Sequence, residues 1–263
     1  MNKLIAILCL IIPGGFYLSA QQKGDTITIL NTKYINKSYK YVNASAENPV
    51  DMTSYIINQG FDNNDGLGWT NPGTINYHEV EFYQKTFNMF QQISGLPAGK
   101  YRLRAKGFER PKSNDAGAAY KAGTESIYAR FYATSTGFSE VNTLFPSLYK
   151  HTFTGTGSLN GYVNTMAAAE TMLSNKTIAY YDATVEDILL DEGGKLTIGA
   201  KTEFQQSGYW ALFDHFRLEY LGNYNAGDLH NALIRRVLEA QALKMKHMQN
   251  IASEGLNSAI LLT

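Results

Sequence analysis

Residues able to do chemistry are plentiful in this chain, but few stand at catalytic spacing. His78, His151, His215, His230 and His247 are scattered, and HEVEF (His78 to Phe82) lacks the second histidine of a zinc-binding H-E-x-x-H helix. There is no G-x-S-x-G elbow and no P-loop. The glycines of GTGSLNG (Gly155 to Gly161) do not follow dinucleotide spacing. Glu79 and Glu81 alternate onto one face of a strand. Such a pair either serves acid–base hydrolysis of a glycosidic bond or forms the wet side of the strand, and without a cleft or shifted pKa values the wet side is favoured. Catalysis is therefore not expected.

Composition narrows the partners. Lys and Arg total 23 and Asp and Glu total 23, so no basic field attracts nucleic acid. The N-terminus, MNKLIAILCLIIPGGFYLSAQQ, reads as a secretory signal over residues 1–20: Lys3, an apolar stretch Leu4 to Ile12, then Leu18-Ser19-Ala20 before cleavage. Pro13-Gly14-Gly15 interrupts the apolar run well short of about 18 residues, which argues against a spanning helix. The mature chain is expected to be secreted, periplasmic or at the cell surface, without membrane insertion. Cys9, the only cysteine, leaves with the signal, taking disulfides, a thiol nucleophile and a cysteine zinc site with it.

The elements that must position any site are short and alternating. Residues 21–50 read as a leader, with a strand-like Thr26 to Leu30 and a tyrosine-rich run from Tyr34 to Tyr41. Strands are expected at Thr53 to Ile57, Asn76 to Tyr83, Thr86 to Ile93, Lys100 to Phe108, Ser126 to Thr134, Thr177 to Val185, Lys195 to Lys201 and Trp210 to Tyr220. Leu96-Pro97-Ala98-Gly99 and Asp191-Glu192-Gly193-Gly194 read as hairpin turns. Long loops, Pro111 to Glu125 and Thr154 to Tyr162, are where binding residues tend to sit, and Asn164 to Leu173 has helical spacing. Two segments frame the whole, YIINQGFDNNDGLGWT (Tyr55 to Thr70) and GYWALFDHFRLEYLG (Gly208 to Gly222), and are expected to lie together in one sandwich. After Gly222 the pattern changes to an amphipathic helix of roughly 25 residues capped by Asp228 and punctuated by Gly255. An isolated helix of this kind is marginal in water, so residues 223–263 are expected to begin a helical bundle with partner helices.

At the two framing segments the chain resembles galactose-binding-like jelly-roll carbohydrate-binding modules, which open on "N-P-G-F-E … G-W" and close on "Y-x-D-D-V-x-L". The stretch EFYQKTFNMFQQISGLPAGKYRLRAKGFER (Glu81 to Arg110), with KLTIGAK (Lys195 to Lys201) and ALFDHFRLEYLG (Ala211 to Gly222), is similar to secreted glycan-associated proteins of Bacteroidetes, in which the sandwich often precedes a helical segment. The resemblance implies a mainly β fold, a jelly-roll β-sandwich over residues 51–222 followed by a C-terminal α-helical segment. It also implies a structural calcium ion between Asp62 and Asp214. The sequence departs from the family there, with Asp for the usual Glu at 62 and Asp214-His215 in place of two carboxylates. A hydrogen-bonded turn at Asp62 to Asp65 is the alternative reading.

A sugar ring offers an apolar face of C–H groups and a rim of hydroxyls, so its site needs an aromatic platform beside amide, carboxylate or guanidinium groups. The candidates are Trp69, Tyr77, Tyr83, Arg110, Asn114, Tyr120 and Tyr209. For Trp69 the competing role is a buried anchor; for Arg110 it is bracing of loop carbonyls. The leading expectation is a non-catalytic module binding an oligosaccharide or polysaccharide. It requires an exposed loop aromatic beside polar groups. The alternatives are a structural or adhesive spacer, which requires loops with no concavity, and a domain associated with a glycoside hydrolase.

Overall fold

Strands that bury alternate residues need a second layer, and in the computed structural model two antiparallel sheets meet face to face. It describes residues 10–12, 16–18, 21–23, 26–28, 41 and 43–260, and the side chains of 41 and 43–253. Two small hairpins come first, β1 (Leu10–Ile12) with β2 (Phe16–Leu18) and β3 (Gln21–Lys23) with β4 (Thr26–Thr28). The rest of the expected signal segment, Cys9, most of the Tyr34 to Tyr41 run and residues 261–263 lie outside the described residues.

The larger sheet has six strands. Its order is β14 (Asp182–Leu190), β9 (Gly99–Arg110), β16 (Trp210–Tyr220), β7 (Glu79–Tyr83) and β6 (Thr74–Asn76), and β5 (Val50–Asp51) also pairs with β16. The smaller has four, ordered β11 (Val141–Leu144), β10 (Arg130–Ser135), β15 (Leu196–Thr202) and β8 (Phe87–Ile93). Alternation in β8 points Phe87, Met89 and Ile93 inward, where they join Val80, Phe82, Leu103, Phe131, Ile198, Phe213 and Phe216 in one buried cluster. The chain is thus mainly β, a sandwich with a C-terminal helix.

The framing segments are neighbours. The Met52 N–H donates to the Leu218 carbonyl at 2.8 Å, the Phe216 N–H to the Gln59 carbonyl at 3.0 Å, and Trp69 and Phe216 lie 4.7 Å apart between ring centroids. Two expectations about the connections need correction. Leu96 to Gly99 joins β8 to β9, and Asp191 to Gly194 joins β14 to β15, so both turns carry the chain from one sheet to the other and neither closes a hairpin. Turn residues fix the reversal but not the sheet that receives the next strand. The expected strand at Thr53 to Ile57 is a single 3₁₀ turn, Thr53–Tyr55. There the Asp51 carboxylate accepts the Thr53 N–H at 2.8 Å, and the Gln91 side-chain amide takes both the N–H and the carbonyl of Ile57, at 2.8 and 2.9 Å. Both backbone groups of Ile57 are therefore satisfied without a strand partner.

The outer face of the larger sheet is not wet. Residues 148–181, including the hairpin of β12 (Ser158–Leu159) with β13 (Tyr162–Val163), fold back over it. A short helix, α1 (Ala118–Lys121), lies in the long loop before β10. A second, α2 (Met166–Leu173), is capped by the Thr165 hydroxyl, which accepts the Ala168 N–H at 3.3 Å. Leu148, Val163, Ala169, Met172 and Leu173 bury Phe108, Trp210 and Leu212 of the sheet in a second cluster. A bulge between Asp214 and Arg217 makes this possible: with His215 at positive φ, Asp214 faces the cap while Phe216 returns to the inner core.

The last helix, α3 (Ala226–Ile260), is 35 residues long, longer than expected, and passes through Gly255 without ending. Its cap is Asn225, not Asp228. The Asn225 side-chain carbonyl accepts the N–H groups of Gly227 and Asp228, while the Asp228 carboxylate accepts the Asn225 N–H at 2.9 Å, a reciprocal box. The base of α3 docks on the sandwich through Lys100 and Asp228 at 2.9 Å and Arg236 to the Gly137 carbonyl at 2.7 Å. Beyond it Leu238, Leu243, Met245, Met248 and Ile251 are exposed. Among the described residues no helix is long and apolar enough to cross a membrane.

Candidate functional site

The strand ends dictate where a site forms. β9 stops at Arg110 before Pro111, β10 begins at Arg130, β15 stops at Thr202 and β16 begins at Trp210, so the loops 111–129 and 203–209 share one end of the sandwich. Gln206 ties them by donating to the Pro111 carbonyl at 2.6 Å. Between them lies a cleft of about 220 Å³ lined by Pro111, Lys112, Asp115, Ala119, Thr124, Glu125, Ser126, Tyr128, Tyr149, Phe204 and Gln206. Its aromatic wall is a stacked pair, Tyr128 and Phe204, with ring centroids 3.8 Å apart and planes 5° from parallel. Both rings are half-buried, and Phe204 leans edge-on against buried Tyr209 at 5.6 Å.

The polar wall is acidic. Burial pushes the Asp115 carboxyl up, but Lys112 at 3.1 Å and the N–H groups of Ala118 and Gly117 hold it below the usual carboxylate range. Glu125 goes the other way: burial raises its pKa, a hydrogen bond from Ser147 opposes this, and the charge of Asp115 adds to it. Behind the wall, Glu109 is fully buried and accepts the N–H groups of Tyr128 and Ala129 at 2.8 and 2.7 Å. Burial pushes it up to about 7 against those two bonds. It therefore positions Tyr128 and the entry to β10 from below.

The residues singled out by sequence do not form one site. Trp69 is buried between Phe61 and Phe216, and its indole N–H donates to the Asn58 carbonyl at 3.1 Å; this corrects its assignment as a platform. Tyr209 is likewise fully buried. Arg110 is also corrected. Its guanidinium lies 5.1 Å over the Trp210 ring and donates to the Gly208 carbonyl at 3.2 Å and the Asn164 side-chain oxygen at 2.7 Å, which leaves it bracing loops. Asn114 donates to the Leu159 carbonyl at 3.1 Å, binding the same loop to β12. Tyr77, Tyr83 and Tyr120 are exposed, at 47%, 46% and 40%. Tyr77 sits at the β6–β7 turn, Tyr83 in a row across the sheet with Trp210 and Arg110, and Tyr120 on α1 beside the cleft. The Pro111 to Glu125 loop does line the cleft; Tyr128, Tyr149, Phe204 and Gln206 were missed. Phe204, a lone aromatic among Glu203, Gln205, Gln206 and Ser207, is the signal that could have found it.

A second polar group lies under α2. The register places Asp214 of β16 opposite Lys106 of β9, and Lys106 opposite Asp182 of β14, while Glu79 precedes the Val80–Phe213 pair. Glu79 was expected on the wet side with Glu81; it is fully buried instead, and neither carboxylate oxygen has a hydrogen-bond partner among the described residues. Burial, with Glu170 and Asp214 nearby, pushes it up to about 10. Asp214 is fully buried against the His215 imidazole, and burial raises its pKa too. Lys106 donates to the Leu173 and Asn175 carbonyls at the end of α2, at 2.5 and 3.4 Å. Asp62 is exposed, and its own carbonyl faces His78 Nδ1 at 2.9 Å. Among the described residues no three His, Cys, Asp or Glu side chains are placed to hold a metal ion. Asp62 and Asp214 alone supply at most four of the six to eight oxygens calcium takes, so backbone carbonyls would have to complete the shell.

No family model matches the chain, and no curated protein matches it. Among solved structures it is similar to TmCBM61 in complex with beta-1,4-galactotriose, at 14% identity and a TM-score of 0.32, over 62% of this chain and 96% of that one.

Proposed function

We propose that this chain is a secreted, non-catalytic glycan-binding module, and that the loop-end cleft is its site. The observation that supports it is the half-buried Tyr128–Phe204 stack lining a cleft of about 220 Å³ beside the Gln206 amide, the Glu125 and Asp115 carboxylates and the Lys112 ammonium. An aromatic wall meets the C–H face of a pyranose, and flanking amide and carboxylate groups meet its hydroxyls. A spacer would present no such concavity. The apolar stretch after Lys3 supports export. Such sites hold a sugar weakly, in the range of roughly micromolar to millimolar. The test is a glycan array with the mature chain, followed by calorimetry on the strongest ligand. Binding weakened about thirtyfold in Phe204→Ala while the fold persists is the expected result. Binding that survives both Phe204→Ala and Tyr128→Ala would place the site elsewhere.

A further inference from the structure

The cleft also carries a charge pattern, and on the reading that it holds glycan, this pattern names the class of sugar. Its only lining cation is Lys112, and that ammonium is already on Asp115 at 3.1 Å. Arg110, whose charge reaches Tyr149 of the wall, is buried and committed to the Gly208 carbonyl, Asn164 and the Trp210 ring. No free cation among the lining residues is left for a sugar carboxylate or sulfate. Two lining carboxylates, Asp115 and Glu125, face one space, with buried Glu109 behind them. Asp115 has Lys112; Glu125 has no ion pair among the described residues, and the Lys112 charge acts on it without contact.

We propose that the cleft selects amino sugars whose nitrogen is free, seating the ammonium on the Glu125 carboxylate, and rejects uronic and sulfated sugars. The Tyr128–Phe204 wall supplies contact with the ring, while Glu125 decides between sugars of similar shape. An ammonium there relieves the mutual repulsion of Asp115 and Glu125 and makes a hydrogen bond in which both partners are charged, whereas the N–H of an N-acetyl group on the same ring brings no charge of its own. A carboxylate or sulfate placed there meets like charge and pays desolvation without a partner.

The test is calorimetry at about pH 6 and low salt, with three ligand sets of matched length: β-1,4-linked glucosamine oligomers, their N-acetylated counterparts and oligogalacturonate. The expected order is the glucosamine oligomers first by about tenfold or more, the acetylated ones weaker and the uronates unbound. Glu125→Gln should erase the difference between the first two sets by weakening the glucosamine oligomers far more than the acetylated ones. Equal or tighter binding of the acetylated set to the unaltered protein, or a preference that survives Glu125→Gln, overturns the inference and leaves the glycan reading standing. Uronates binding best also overturns it. No binding of any of the three, together with a blank glycan array, overturns the glycan reading itself.

Discussion

The molecule holds two groups of carboxylates, and they differ in what covers them. Glu79 and Asp214 stand on the outer face of the larger sheet beneath α2, fully buried. Glu125 and Asp115 stand at the end of the sandwich, partly exposed in a cleft. Both groups contain a carboxyl whose pKa is raised first by burial and then by a like charge, so a shifted pKa does not by itself separate a site from a structural group. Access does. A ligand can reach Glu125 past Thr124 and Lys112, both exposed, whereas Glu79 lies under the cap formed by residues 148–181.

The largest test of this difference compares aromatics from the two regions. Trp210 anchors the capped face, with Phe108 at 5.0 Å and Arg110 over its ring, so Trp210→Ala should cost about 3–5 kcal/mol of stability. Phe204→Ala in the cleft should cost about 1 kcal/mol, because the ring is already half in water. Denaturant titration of both variants checks this. Equal losses would mean that Phe204 is core and the cleft an artefact of loop packing. The second effect is on binding: Phe204→Ala should weaken glycan affinity by about 2 kcal/mol, roughly thirtyfold, the usual size for an aromatic anchor.

How much of this was legible in the sequence follows from how far each fact reaches along the chain. Alternation in FNMFQQI is a property of seven adjacent residues, and β8 came out as read. Paired glycines and prolines marked the reversals, yet the sheets they join depend on all the other strands. Glu79 was placed on the correct face of its strand and given the wrong environment, because the lid over that face comes from residues about 70–100 further on and no local pattern announces it. Trp69 and Arg110 failed as ligand residues for a shared reason: a large side chain in a turn or at a strand end satisfies the fold first when partners such as Asn58 and Asn164 are in reach. The cleft loop was legible from length and polarity alone, but its aromatic wall joins residues 76 positions apart, Tyr128 and Phe204, through the pairing of β10 with β15.

The capped group makes a prediction about pH. Glu79 has an ordinary value of 4.5 and is pushed up to about 10, while Asp214, Glu170 and His215 are also raised. A raised value means that the folded state holds its proton more tightly, so the contribution to stability is complete below the unfolded value and is lost as pH climbs toward the folded one. All four groups act in the same direction. The melting temperature should therefore fall between about pH 4.5 and 10, and Glu79→Gln, which keeps the shape and removes the charge, should flatten the fall. At pH 7 the variant should be more stable by up to about 3 kcal/mol, because the parent must bind a proton above its unfolded value in order to be buried neutral and the amide need not, or a few degrees in melting temperature. A Glu79→Gln protein less stable than the parent would show that the carboxylate has a partner worth more than its burial.

The smallest effect is the most discriminating, because it applies the same substitution to the open group. Glu125 also has a raised value, caused first by burial and then by Asp115, so the sign of its linkage matches that of Glu79 and its stability contribution is likewise lost as pH rises. Water screens it, however, and Ser147 already donates to its carboxylate, so the gain on removing its charge should be no more than about 0.5 kcal/mol. Glu125→Gln is thus expected to leave the melting temperature at pH 7 within about a degree of the parent, and to leave its pH dependence nearly unchanged, while altering which sugars bind. Melting curves across pH for the two Glu→Gln proteins, recorded side by side, measure the contrast directly. A stability gain at Glu125 as large as that at Glu79 would mean that the cleft is closed in solution, and the two groups of carboxylates would then be one kind of structure instead of two.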